Sequence, residues 1–586
     1  MEPSVTMVAA IMYPTALEIP TIKTCQQPSA TLEWFESTLN PKNRVDSLHA
    51  VISPRWRIDG GEADGTRYFA IPSFALRKPP LRIDTYIPGS ESFPEVLQNL
   101  LQPHSTIYTP SSRINTHNVS LYILRALELW SDQQPNLETI YRSMPFGSRI
   151  IIDGILSDMR RLKLYFMPNY EIESQWLSVQ ALQRKFDLPS SSWPPIIDYQ
   201  KLQLIEQPHE CISLVQLGEQ HGSNVFVFKS VLRDIEYFYH ELKQLLQLSP
   251  HPNIVSKPLY IVTKSCLFGG KIGVCGFVLQ YYTGGTLQAA LSNLPGDEDI
   301  RLKSQFRWAR QLTSALQHIH ESPTMYYSNL KLINVVMNES GTYEESNAVL
   351  IDFEQRSGFF SWSAPEIYYI HYLEHIATFS KSSSARLKYS NLLKSYIPSW
   401  RPLNSNTRYD NPQHGFSFPW LALTREEHES TQVFMLGKLL WCIFEGAWGM
   451  SSAVTIETFR EQPCDILFPN FLRTPMRLRA CIRNCTTGAP EWRGRWPGVV
   501  RRGNKLYPFQ GQWDGVEATK VTEETQDSAK RWWRQEIQDA ERFLDIRRRM
   551  KQGEEMEQSC KKVVEFMKQR PTLIQVSTAL ESLLCE

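Results

Sequence analysis

The sequence predicts an α+β protein of two lobes, a small strand-rich lobe holding one helix and a large helical lobe, behind an N-terminal α/β extension. Three observations carry that prediction. The runs KLQLIEQ, CISLVQL, NVFVFKSV, PLYIVTK and GVCGFVLQY are continuously apolar or alternate, as strands do, and HGSN supplies a turn between the second and third. Among them stands DIEYFYHELKQLLQL, whose apolar residues recur three and four apart on one helical face. From LKSQFRWARQLTSALQHIH onward, helical patterns dominate.

A chain of 586 residues exceeds one ordinary domain. Residues 1–187 read as an ordered extension with a loose start. They contain the strand-like TRYFAIP (Thr66–Pro72) and the helix-like NVSLYILRALELW (Asn118–Trp130) and SQWLSVQALQRKF (Ser174–Phe186). Ser and Pro break the periodicity in LPSSSWPPIIDY, so residues 188–199 read as a linker, and the two-lobed part occupies 200–586.

Hydrophobic content of 42% and aromatic content of 11% suffice for sizeable cores. With 62 basic against 61 acidic side chains the formal charge is +1, which speaks against a nucleic-acid binder or a polybasic membrane protein. RRRMK (Arg547–Lys551) reads as a solvated helix face rather than an anionic docking patch. The start, MEPSVTMVAAIMYP, makes a poor signal peptide, and no apolar run reaches the roughly 18 residues of a membrane span. Ten scattered cysteines suit a reducing compartment. Only Cys481 and Cys485 lie close together, and with no second pair or His cluster a zinc site is not expected. The expectation is an intracellular protein, cytoplasmic or nuclear, with no membrane or nucleic-acid partner.

Several short motifs then follow in order. Lys229 ends VFVFKSV, and twelve residues on Glu241 opens ExxxLxxL (Glu241, Leu245, Leu248), followed by HPNIV. Next come GFVLQYYTGGTL, YYSNLKLINVV, VLIDFEQ, SAPEI, QVFMLGKLLWCIFEG and QRPT. Taken singly, Lys229 reads as a solvated strand-edge charge and GFVLQYY as a buried edge strand entering a turn. Taken in order, the motifs resemble the eukaryotic protein kinase domain over roughly the last two-thirds of the chain, in a divergent form associated with filamentous fungi.

The resemblance implies roles. Lys229, paired with Glu241, would grip the nucleotide phosphates. Leu279 would be the gatekeeper, and Gln280, Tyr281 and Tyr282 would offer backbone groups to an adenine ring. Asn334 and Asp352 would be the magnesium ligands, brought together by a hairpin over VVMNESGTYEESNAVLI, and oxygen donors of that kind suit Mg2+. Lys331 would steady the γ-phosphate and leans toward a Ser/Thr acceptor. Glu366 of APE and Arg570 of QRPT would form a buried structural pair.

The pattern also breaks. Glu206, Pro208 and Cys211 stand where the phosphate-loop glycines would be, and Glu206 and Glu210 would repel a triphosphate. HRD becomes Tyr327-Ser328-Asn329, with Tyr327 keeping a packing role. An amide is a very weak base, and losing a general base costs about 10²–10⁴-fold. Ser328 removes the arginine that reads activation-loop phosphate. Glu354 replaces the DFG glycine and is expected to face solvent, with service as a substitute metal ligand as the alternative. Gln432 replaces an aspartate that hydrogen-bonds the catalytic-loop backbone, and it still offers an acceptor. Two insertions, about 370–428 and 447–560, are either partner-docking surfaces or self-packed loops, the second being favoured.

The leading expectation is therefore a pseudokinase: a Ser/Thr kinase-like protein with weak or uncertain ATP and Mg2+ binding, acting through an unknown protein partner. The alternatives are a slow but active Ser/Thr kinase and a scaffold that binds no nucleotide.

Overall fold

Strand pairing organises the N-terminal part into a five-stranded sheet. Its members are β1 (Trp56–Gly61), β2 (Arg67–Pro72), β3 (Asp84–Tyr86), β4 (Arg149–Asp153) and β5 (Lys163–Met167), in that spatial order. Pairing is antiparallel except between β3 and β4. The computed structural model describes residues 54–583 apart from 62–66, 88–116, 154–160, 339–344, 357–361, 403–408, 451–467, 495–498, 509–522, 559–563 and a few shorter segments. The N-terminal run MEPSVTMVAAIMYP and the tip of the expected hairpin lie outside the described residues. Helices α1 (His117–Asp132) and α2 (Leu137–Ser143) accompany this sheet. Trp56, Tyr68, Leu127, Trp130, Tyr141 and Ile150 build its core, which also takes in Leu204 from the next sheet.

The stretch SQWLSVQALQRKF, expected as one helix, is two: α3 (Glu171–Gln175) and α4 (Val179–Phe186). Ser178 breaks it by capping α4, accepting the Ala181 N–H at 3.2 Å. Leu177 between them is extended toward the second sheet. Its carbonyl accepts from Val274 N–H at 2.9 Å, and its N–H donates to Tyr239 Oη at 2.9 Å. Those bonds satisfy backbone groups that a continuous helix would otherwise pair internally.

A six-stranded sheet follows, in spatial order β6 (Ile196–Asp198), β10 (Tyr260–Ser265), β11 (Ile272–Gln280), β9 (Phe226–Lys229), β8 (Ile212–Leu217) and β7 (Leu202–His209). The segment read as a linker supplies β6, which pairs in parallel with β10, and its Trp193 stacks on Phe186 at 5.6 Å. Ile196–Asp198 of that segment are thus a strand of the sheet, because Ile196 and Ile197 are strand formers beside β10. One helix, α5 (Ile235–Gln247), crosses this sheet, with Phe238 stacked on Phe277 at 5.0 Å. Close approach requires Gly276 in β11, since a Cβ there would meet the Phe228 ring at 2.2 Å.

The remainder is mainly helical. It contains α6 (Leu287–Ser292), α7 (Glu298–Glu321), the hairpin β12 (Val335–Asn338) and β13 (Asn347–Leu350), and α8 (Pro365–Phe379). Then come α9 (Ser383–Tyr396), α10 (Phe418–Leu421), α11 (Arg425–Glu445), α12 (Met476–Cys485), the pair β14 (Val499–Arg502) and β15 (Lys505–Pro508), α13 (Glu523–Lys551) and α14 (Leu573–Ser582). Helix α11 is buried along most of its length, starts in a capping box at Thr424 and Glu427, and ends at Gly446 with φ 66°. One core joins the six-stranded sheet, α4, α5, α7 and α11, so the protein is a mixed α+β fold in which sheet and helices share an interior.

The two insertions pack on each other. Ile370, Leu373, Tyr389, Leu393 and Trp400 meet Ala540, Phe543 and Leu544 of α13 in a separate cluster. Arg547 is not solvated as expected. It is nearly buried, ion-paired with Glu427, and donates to Tyr396 Oη at 2.7 Å, because its planar fork matches the carboxylate at the start of α11. Among the described residues no helix is long and apolar enough to cross a membrane.

Candidate functional site: one lysine among three carboxylates

Strand β9 delivers Lys229 at its last residue, opposite Ile212 of β8 and Phe277 of β11. Alternation along the strand sends Phe228 into the core and Lys229 to the other face. There its ammonium contacts Glu241 Oε2 at 2.6 Å, Asp352 Oδ1 at 2.9 Å and Glu354 Oε1 at 3.2 Å. Glu241 reaches it from α5, while its Oε1 accepts the Phe353 N–H at 3.1 Å. One carboxylate thereby ties the lysine strand, the helix and the Asp-Phe-Glu segment together.

The hairpin β12–β13 returns the chain so that Asn334 and Asp352 face each other. Asn334 Nδ2 donates to Asp352 Oδ2 at 3.1 Å and to the Asn329 carbonyl at 2.9 Å, and Asn329 Nδ2 donates to the same Asp352 oxygen at 3.2 Å. Asp352 holds φ at 68°, an unusual conformation for a non-glycine residue that persists only where surroundings over-determine it. Tyr327 packs edge-on against Phe353 at 5.2 Å, and its N–H donates to Gln432 Oε1 at 2.9 Å. Lys331 is buried close by. Leu279 is buried beside Val227, Gln280 is exposed at the strand end, and Tyr281 and Tyr282 are half-buried.

Burial acts most strongly on Lys229, Glu241, Asp352 and Glu354 alike. It pushes the Glu241 carboxyl up to about 7, with Lys229 opposing and Glu354 and Asp352 adding to the rise. Burial also works against ionised Asp352, but Lys229, then Lys331 and Arg356, outweigh it and hold that carboxyl well below its ordinary range. For Lys229 the burial penalty is overcome by Asp352, Glu241 and Glu354, which hold the ammonium charged.

Glu354 is the main correction to the sequence reading. It is buried rather than solvent-facing, because Lys229 and Arg356 both engage it, and the two cations outweigh burial and lower its pKa. Arg356 also pairs with Asp234 at 3.1 Å and lies over the Tyr237 ring at 4.4 Å. Sequence reasoning passed over Arg356; a basic residue two positions after a buried acid was its only signal. Among the described residues, Glu241, Asp352 and Glu354 are the one group placing three potential metal-ligand atoms close together.

The expected repulsion from Glu210 is also revised. Glu210 points to the five-stranded sheet, where Arg67 meets it at 2.7 Å, with Arg233 at 3.2 Å. Arg82, 1% exposed, donates to the carbonyls of Ile212 and His209 at 3.0 and 3.2 Å. Gln207 is held by Asp59 and Asp84, each at 2.8 Å. Outer-strand backbone is covered too, by Arg77 N–H on the Leu204 carbonyl (3.0 Å) and Leu204 N–H on the Lys78 carbonyl (2.9 Å). The extension thus acts as a brace on this hairpin.

Away from the centre, Glu366 and Arg570 pair with both side chains fully buried, and Thr431 Oγ1 donates to Glu366 at 2.8 Å. Cys481 and Cys485 both lie on α12. No protein-family model matches the chain, and no curated protein matches it.

Proposed function

We propose that the chain is a two-lobed protein kinase-like protein that takes Mg-ATP weakly, has lost most or all phosphotransfer, and acts through binding a protein partner. The observation that carries this reading is the pair of amides on Asp352. Asn329 presents an N–H donor toward Asp352 at 3.2 Å, in the place where the family resemblance implies a carboxylate base. An amide there can orient a hydroxyl through its oxygen but, as a very weak base, does not usefully accept the proton.

The donor set fits magnesium. The Asp352 carboxylate is a hard-oxygen donor, and Asn334, whose Nδ2 now donates to Asp352, would add its amide oxygen by turning the amide. The cation would offset the negative charge that three carboxylates present to a triphosphate. Nucleotide uptake would therefore depend strictly on the metal. Lys229 is already saturated by carboxylates, and the braced β7–β8 turn offers side chains instead of glycine amides, both consistent with weak binding.

One observation favours the slow-kinase alternative: Lys229, Glu241 and Asp352 stand assembled, and phosphoryl transfer is mostly positioning and electrostatics. The deciding experiment follows labelled γ-phosphate from Mg-ATP with wild type, Asn329→Asp and Asp352→Ala, beside thermal shifts with ATP plus Mg2+ or EDTA. The proposal expects a magnesium-dependent shift, which corresponds to about 2.7 kcal/mol at a hundred times Kd, and little or no labelling. Labelling by wild type that Asp352→Ala abolishes selects the slow kinase. No shift under either condition selects the nucleotide-free scaffold.

A further inference from the structure

We infer that residues 409–412 and 415–418 form a strap that positions α5, keeping the Lys229–Glu241 pair formed without any covalent modification of the chain. The inference deepens the proposed function, because it assigns Tyr409 and Phe416 as positioning residues for that site.

Helix α5 lays one side on the six-stranded sheet through Phe238 and through Tyr239, whose hydroxyl donates to the Val274 carbonyl at 2.9 Å. The strap covers the neighbouring face of the helix and also reaches the Tyr239 ring. Phe416 packs on Tyr237 (5.4 Å) and His240 (5.8 Å), Tyr409 packs on Tyr239 (5.8 Å), and Lys243 Nζ donates to the Pro412 carbonyl at 3.4 Å.

Both ends of the strap are moored. Tyr409 packs on Phe186 at 5.9 Å and donates to Asn411 Oδ1 at 3.0 Å, while Asn411 hydrogen-bonds the Lys185 carbonyl at the end of α4. At the other end Trp420 stacks on Tyr326 at 4.6 Å, and the Tyr326 carbonyl accepts from Gln355, whose Oε1 lies 2.7 Å from His240 Nε2. Gly415, at φ 79°, lets the backbone lie flat on that group. A Cβ there would come within 3.1 Å of both Gln355 Oε1 and Tyr326 Oη. Any outward swing of α5, which would carry Glu241 away from Lys229, breaks contacts with Tyr409 and Phe416 at once. The strap lies in the first insertion, so it is a part of this chain performing a task otherwise left to a switch.

The test uses the full chain with Phe416→Ala and Tyr409→Ala, the ring-retaining Phe416→Tyr, and Phe416→Leu as a milder variant should an alanine fail to fold. Two readouts are taken: hydrogen exchange of α5 against α11, and acylation of Lys229 by acetic anhydride, followed by mass spectrometry. Truncation is expected to raise α5 exchange and Lys229 acylation by about tenfold while α11 is unchanged, with Phe416→Tyr behaving as wild type. If melting falls while Lys229 reactivity and α5 exchange stay at wild-type values, the strap is only structural packing and the inference is overturned. Looser α5 with unchanged Lys229 reactivity overturns it equally. Neither readout needs nucleotide, so a failure of Mg-ATP to bind would count against the proposed function and not against the strap.

Discussion

The carboxylate of Glu354 lies 3.2 Å from the ammonium of Lys229, inside a cluster that already holds Glu241 and Asp352. With Asp234 the cluster holds four carboxylates against Lys229, Lys331 and Arg356, which leaves excess negative charge where phosphates would approach. Glu354→Gln removes one carboxylate without emptying the space. Mg-ATP affinity should then tighten, by about fivefold to tenfold, since a charge at this range is worth about 1 kcal/mol or more in a partly screened site. Titration calorimetry of wild type and variant measures it; equal or weaker binding would show that Glu354 serves the metal instead.

Arg82 fills three acceptors of the β7–β8 hairpin, the His209 and Ile212 carbonyls and Ser213 Oγ. Arg82→Met keeps the stem and strands those acceptors. Each buried unmade bond costs about 1–3 kcal/mol, so a loss of about 3 kcal/mol is expected in urea unfolding. Exchange should accelerate first in peptides covering the hairpin. An even loss of protection across the chain would argue against a local brace.

Glu366 and Arg570 form a bidentate pair with no solvent contact, and Arg570 also donates to the Thr487 carbonyl at 2.9 Å. Removing one partner leaves a buried charge. Arg570→Leu should cost about 3–5 kcal/mol. The double variant Glu366→Leu/Arg570→Leu should recover part of that loss, and a double-variant cycle on chemical denaturation gives the coupling.

His375 is buried on α8 with its ring 4.9 Å from His371, and burial lowers its pKa to about 3, with His371 adding to the drop. An unfolded His titrates near 6.5, so the unfolded chain binds more protons and stability falls as pH drops below that value. At pH 5 the loss from this group is about 2 kcal/mol relative to pH 8. Glu241, raised by burial, contributes with the opposite sign between about pH 4.5 and 7. The clean measurement is therefore the difference between wild type and His375→Leu at pH 5 and pH 8, which should shrink at pH 5.

Much of the site was readable from local order. The strand ending at Lys229, the helix carrying Glu241, the hairpin between Asn334 and Asp352 and the buried helix of Gln432 followed from local patterns, while the grouping of these residues into one site came from the family resemblance. What those patterns do not encode is where a side chain goes once several elements converge. Glu354 was misjudged for that reason, since only its distance to Lys229 and Arg356 makes burial tolerable. The break at Ser178 and the strand at Ile196–Asp198 depended likewise on bonding partners in β11 and β10, remote in sequence.

Sequence alone determined the mixed α+β composition, the strands β7 to β11 and the helices α5, α7 and α11, because backbone periodicity is local. Tertiary structure decided their company. It set Arg82 and Arg67 of the extension against the hairpin, folded the two insertions on each other, and laid Tyr409 and Phe416 across α5. Such long-range contacts depend on which apolar faces and unpaired charges remain after the local elements form, and burial makes those choices.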